Sequence, residues 1–188
     1  ATTDVHSVTE GSLNFKKLLI APEPLAKRTV EGDLGVYINA ENVKKYLEEE
    51  SVGVDLHHLK PLPGSDDEVY LSLTLTDKAV KTAVERHAGH IIEVFGPEGR
   101  KTYIKGKDLT AIKYIIGTGG ALTRLKNARS ILENIRINQV YKKLLPLQNS
   151  SVLIDTNYIL SSCGTMVDYY KEDAVKLALQ SIERSLEI

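Results

Sequence analysis

Two adjacent glycines, Gly119 and Gly120, separate an apolar run at 112–117 from a segment with helical spacing. Glycines at such a junction let the backbone turn with positive φ, or let something approach more closely than a Cβ permits. Free N–H groups at a helix start, with the positive end of its dipole, suit an anion or the polar edge of a ligand. Two requirements of a dinucleotide fold are unmet. Gly117, Gly119 and Gly120 spell G-x-G-G, not G-x-G-x-x-G, and the acidic residue on the following strand, Asp155, comes 35 positions after Gly120 instead of about 20. No G-x-x-x-x-G-K-[ST] loop occurs. The plainer alternative is that the glycines only allow a strand and a helix to pack tightly.

A second group stands at the start of the chain. Thr2, Thr3 and Asp4 place two hydroxyls beside a carboxylate, and on a strand Thr2 and Asp4 share one face while Thr3 takes the other. A hydroxyl and a carboxylate on one face suit phosphate contact and the placement of Mg²⁺-bound water. A third group, AKRTVEGDLG at 26–35, gathers Lys27, Arg28, Glu31 and Asp33 in one short stretch. It reads as a loop clasping a charged ligand or partner, or equally as a surface turn with a local ion pair. His87 and His90 are three apart, within reach of one metal, but no Cys or carboxylate joins them at ligand spacing, so capping or partial burial explains them better. His6 beside Asp4 and Ser7 has triad residue types, but strand neighbours facing opposite ways cannot assemble a triad.

The elements that must position these groups follow from patterning. ATTDVHSV reads as a strand, a turn falls at Glu10–Ser12, and FKKLLIA at 15–21 reads as a second strand. A helix is expected from Asn39 through Glu50. Ser65-x-x-Glu68 matches a capping box and favours a helix there, although Val69, Leu71, Leu73 and Leu75 alternate as in a strand. Ala79, Val80, Ala83, Val84 and His87 form one helical face that ends at Gly89. Residues 90–106 read as a hairpin about Pro97–Gly99, 112–117 as a buried strand, 121–136 as one helix, and 151–155 as a strand. Two helices, 157–168 and 171–187, close the chain, the second with Ala174, Val175, Ala178, Leu179, Ile182 and Leu186 on one side. The class is mixed α/β.

Composition narrows the options. The 188 residues carry a net charge of −1 and are 42% hydrophobic, so no overall field attracts nucleic acid or an anionic membrane. The densest basic group, Arg124 to Lys143, reads as a solvated helix face. Cys163 is the one cysteine and sits in an apolar segment, which favours a core role in a reducing, cytoplasmic setting. No run approaches the length of a membrane span.

In combination and in this order, ATTDVHSV, PEPLAKRTVEGDLGV, ERHAG, KDLTAIKYIIGTGGALTRL and LIDTNYILSSCG resemble the MutL/GlmL family, over nearly the whole chain. These proteins are encoded beside coenzyme-B12-dependent glutamate mutase and related aminomutases, and belong to the actin/Hsp70/sugar-kinase ATPase superfamily. They share only a name with the mismatch-repair protein. The superfamily's second phosphate motif runs D-x-G-G-x-T-x-D, and Ala1-Thr2-Thr3-Asp4 matches its last four positions. The resemblance thus implies the C-terminal half of such a protein, cut within the motif, its N-terminal lobe missing.

By the same mapping Thr2 would contact phosphate and Asp4 would be the catalytic carboxylate, near a Mg²⁺-bound water and holding no metal directly. Thr3 accompanies them. Gly119 and Gly120 match the adenosine motif, Gly117 joins them in the nucleotide-binding set, and Ala121, Leu122 and Thr123 would flank the adenosine of ATP. The implied architecture is a ribonuclease-H-like ATPase lobe. It would start at 1–38, carry an inserted helical subdomain at 39–89, and resume at 90–188. The implied function is ATP-driven reactivation of a B12-dependent mutase, whose subunits would be the partners; no cobalamin site stands out in this chain. The alternatives are a nucleotide-regulated binding module without hydrolysis, a small-molecule kinase lobe, and a dinucleotide-binding domain around 113–155.

Overall fold

In the computed structural model, the described residues are 2–47 and 55–183. Ala1, the expected helical stretch Glu48–Glu50, and Leu186 with the end of the last helix lie outside them. The fold is mixed α/β. A first antiparallel pair joins β1 (Thr3–Val8) to β2 (Ala26–Glu31). The short helix α1 (Leu13–Lys16) lies between them, and α2 (Ala40–Lys44) follows. After a 3-10 turn at Leu56–His58 comes the long helix α3 (Asp66–His87). A hairpin of β3 (His90–Gly96) and β4 (Gly99–Lys105) leads to β5 (Tyr114–Gly117), α4 (Gly120–Arg124) and α5 (Ala128–Asn134). β6 (Ser151–Ile154) pairs in parallel with β5, and α6 (Leu160–Met166) and α7 (Lys171–Glu183) end the described chain.

α3 is the axis on which the rest is hung. Ser65 accepts from the Glu68 N–H while the Glu68 carboxylate reaches back to the cap, satisfying the first free donors of the helix. The Gly64 N–H, Lys60 and the Ser65 N–H hold Glu68 ionised, its pKa lowered to about 2. Two adjacent stripes run down the helix. Leu71, Leu75, Ala79 and Ala83 bury into a cluster with Leu34, Ala40 and Val43. Val80 and Val84 join a second cluster with Ile115, Ile131, Leu132, Val152 and Ile154. One helix therefore buries against both the segment after β2 and the β5–β6 unit.

Four expectations change. Residues 15–21 do not form the second strand. Ser12 caps a helical turn by accepting from the Phe15 N–H, and the chain then runs beside β4, with Ile104 N–H donating to the Leu18 carbonyl at 2.8 Å. The strand that pairs with β1 is instead the charged segment expected as a loop, 26–31. The helix expected over 121–136 is broken between Arg124 and Ala128, where Asn127 turns into the left-handed region at φ 64°. Asn39 stands at the N-terminal cap of α2, but its side-chain amide donates to the Gly32 carbonyl at 2.6 Å instead of capping.

Candidate functional site

The parallel pairing of β5 with β6 puts Gly117 beside Ile154 at the strand ends, where both chains must turn away. The three glycines there stand in three different environments. A Cβ on Gly117 would stand 2.5 Å from Leu132 Cδ1 and 3.1 Å from Ile154 Cδ1, so a side chain there would force these core methyls to shift. Gly119 has φ 97°, a conformation L-residues rarely adopt, with nothing within 4 Å of a built Cβ. Gly120 has neither constraint. It is exposed at the first turn of α4, its φ is unremarkable, and a Cβ there meets nothing within 4 Å. Because α4 has five residues, its dipole gives an anion far less than a full helix start would. The Gly119 carbonyl accepts from Leu122 N–H, Thr123 N–H and the Thr123 hydroxyl, which closes the turn.

Asp155 fixes this turn from behind. It is fully buried, and its carboxylate accepts from the Thr118 hydroxyl at 2.8 Å and the Ser181 hydroxyl at 2.5 Å. The Ile159 and Leu160 N–H groups donate to it at 3.1 and 3.0 Å. Burial pushes the carboxyl pKa up, but the bonds from Ser181, Leu160, Thr118 and Ile159 outweigh it, and the net shift is downward. One carboxylate thus ties Thr118, inside the glycine turn, to the start of α6 and to α7.

Across from this unit stands β1. Alternation turns Thr2 and Asp4 one way and Thr3, Val5 and Ser7 the other. Thr3 donates its hydroxyl to the Leu34 carbonyl at 2.6 Å, away from the Asp4 side. Asp4 accepts from Arg28 Nη2 at 2.7 Å, and that guanidinium, with the Thr2 hydroxyl, holds its carboxyl below the usual range. The other charges of 26–33 also find partners within the chain. Lys27 reaches Glu23 at 3.3 Å. Glu31 and Asp33 converge on Arg86 of α3, which bonds Asp33 through both nitrogens at 2.9 Å and lies 5.3 Å over the Tyr46 ring. Lys27, Arg28 and Glu31 sit on β2, where Arg28 ties the strand to β1, Lys27 to Glu23, and Glu31 to α3.

Between β1 and the glycine turn lies a cavity of about 450 Å³. Thr2, Asp4, Gly119, Gly120, Ala121 and Leu122 line it, with apolar floor from Val80, Ile115 and Leu132. Its size is within the range of small-molecule sites. The structure thus brings the two sequence groups, 2–4 and 119–122, to one cavity, although they lie more than a hundred residues apart. Two wall residues carried no signal in the sequence, Tyr114 and Tyr158. His87, considered above with His90, is buried and paired with Ser7 and Thr29.

Comparison with known proteins gives a consistent family. The family described as MutL protein matches residues 1–182. The curated protein described as "Protein MutL" from Clostridium tetanomorphum is 34% identical over 194 residues, covering 94% of this chain. The chain spans 42% of that relative's length. No solved structure matches it.

Proposed function

Because the chain belongs to the MutL family, we propose that it is the second lobe of an actin-like ATPase that binds Mg-ATP and serves a coenzyme-B12-dependent glutamate mutase or related aminomutase in the cytoplasm. The carrying observation is Gly120: neither backbone conformation nor packing within the chain demands a glycine there, yet it lines the cavity that also holds Gly119, Thr2 and Asp4. A ligand that approaches the peptide itself accounts for it.

The residues fit adenosine better than they fit the rest of the nucleotide. The glycine turn and the apolar floor suit a sugar and base, while Thr2 and Asp4 are the polar groups on the opposite wall. When bound, ATP would supply a phosphoanhydride for hydrolysis. Asp4, kept ionised by Arg28, offers a carboxylate to a metal-bound water and no complete metal site by itself. Among the described residues no three His, Cys, Asp or Glu side chains converge to hold an ion. Phosphoryl transfer depends on charge stabilisation from several groups at once. Hydrolysis is therefore assigned to the longer protein, in keeping with a chain that spans 42% of its relative.

A second reading keeps the nucleotide but drops hydrolysis: a module that grips the mutase and is regulated by ATP. Capture of mutase subunits by the full-length protein, with ATP, with ADP and without nucleotide, tests both. Reactivation predicts capture that depends on the nucleotide and multiple turnovers of ATP in the mutase's presence. Nucleotide-dependent capture without turnover supports the regulated module. Capture indifferent to nucleotide would contradict both.

A further inference from the structure

Tyr158 has a positive φ, 54°, one of two non-glycine residues to do so among the described residues. Its side chain is half exposed, on the wall of the same cavity as Gly119 and Gly120. An aromatic residue is a poor choice for the left-handed region, which glycine or asparagine enters at less cost. The turn itself asks only for its backbone: Tyr158 N–H donates to the Asp155 carbonyl at 2.9 Å. The surroundings nonetheless force the conformation, because the Asp155 carboxylate binds the next two N–H groups, of Ile159 and Leu160, and the Thr118 hydroxyl. The carboxylate that fixes the glycine turn therefore also fixes this ring beside it. A conformation held at a cost beside a cavity points to a use for the side chain. Tyr114 lines the same cavity from an ordinary strand, without that cost.

Resting on the nucleotide reading, we propose that Tyr158 is the stacking platform for the ligand's heteroaromatic base. The ring offers a flat apolar face, and aromatic faces hold bases through stacking and burial. The test is titration of the full-length protein with Mg-ATP, comparing wild type with Tyr158→Phe, Tyr158→Leu and Tyr158→Gly, each with a melting curve. Phe keeps the face and should bind as wild type. Leu and Gly lose it, and affinity should fall roughly tenfold or more. Gly also relieves the positive φ, so it should melt no lower than wild type while binding ATP more weakly. A merely structural tyrosine would not separate those two readouts in that direction. If wild type binds ATP and the Leu and Gly variants bind it equally well, the platform is overturned and the nucleotide reading stands. If wild type binds no ATP, both fall.

Discussion

Ser7 Oγ lies 2.7 Å from His87 Nε2, joining the first strand to the last turn of the long helix across 80 residues of chain. The other ring nitrogen is 2.9 Å from Thr29 Oγ1 on the neighbouring strand, so one imidazole holds both strands of the hairpin that carries Asp4. Burial, then the positive charges of Lys27 and Lys107, lowers the His87 pKa to about 4. In the unfolded chain it would titrate near its ordinary value of about 6.5. The stabilisation from neutral His87 is therefore complete above about pH 6.5. It declines as pH falls from there to about 4, by a total on the order of 3 kcal/mol. Urea unfolding at pH 7.5 and pH 5 should show this decline, and His87→Gln should remove much of it while lowering stability at pH 7.5 by about 2 kcal/mol.

Asp155 predicts a different pattern. Replacing it with Asn keeps the volume but turns an amide N–H₂ toward groups that can only donate, the N–H of Ile159 or Leu160. Loss is expected at about 2–4 kcal/mol. The loosened turn should also weaken ATP binding. Since the folded pKa is depressed, this carboxylate stabilises fully above its unfolded value, and the contribution is lost as pH falls through the folded one. Thr118→Val removes one donor and should cost about 1 kcal/mol.

Lys107 is 2% exposed, and its ammonium donates to the carbonyls of Thr9, Pro24 and Leu25, closing the base of the first hairpin. Lys107→Met keeps most of the packing but removes the donor shared by the Thr9, Pro24 and Leu25 carbonyls, of which Leu25 keeps the Thr9 N–H, a loss of about 1–3 kcal/mol. Hydrogen exchange should quicken first at the Thr9 amide, which donates to the Leu25 carbonyl.

How far the sequence foretold this depends on how local each cause is. The helix 66–87 was legible because Ser65 and Glu68 cap it within one turn, and the strand-like alternation of Leu71, Leu73 and Leu75 is absorbed by two adjacent stripes. β2 was not legible. Its inward positions are Lys27, Thr29 and Glu31, which show no apolar alternation and are held by side-chain pairs with Glu23, His87 and Arg86. FKKLLIA looked more like a strand and lost to the Ser12 cap. At the site, the positive φ at Gly119 is one of the two readings the glycine pair offers by itself, whereas the packing cause at Gly117 requires Leu132 and Ile154 in place. The Asp155 clamp joins residues 26 and 37 positions away, and no local pattern announces it.

Gly117 and Gly119 should both matter for stability, for different reasons. Gly117→Ala drives a methyl into Leu132 and Ile154 and should cost about 1–3 kcal/mol. Gly119→Ala meets open space and should cost about 1–2 kcal/mol through φ alone. A compensating Leu132→Val should recover part of the first loss and none of the second, as read by thermal melts.

Gly120→Ala separates binding from folding, since the added methyl meets open space in an ordinary helical conformation. It should leave stability unchanged or raise it by up to about 1 kcal/mol. Calorimetric titration of the full-length protein with Mg-ATP and Mg-ADP, wild type beside Gly120→Ala and Gly120→Val, therefore tests the central claim most directly. A ligand seated on the glycine turn predicts wild-type binding that falls at Ala and is lost at Val, both variants melting like wild type. Equal nucleotide affinity in all three folded proteins, or none in wild type, would contradict it.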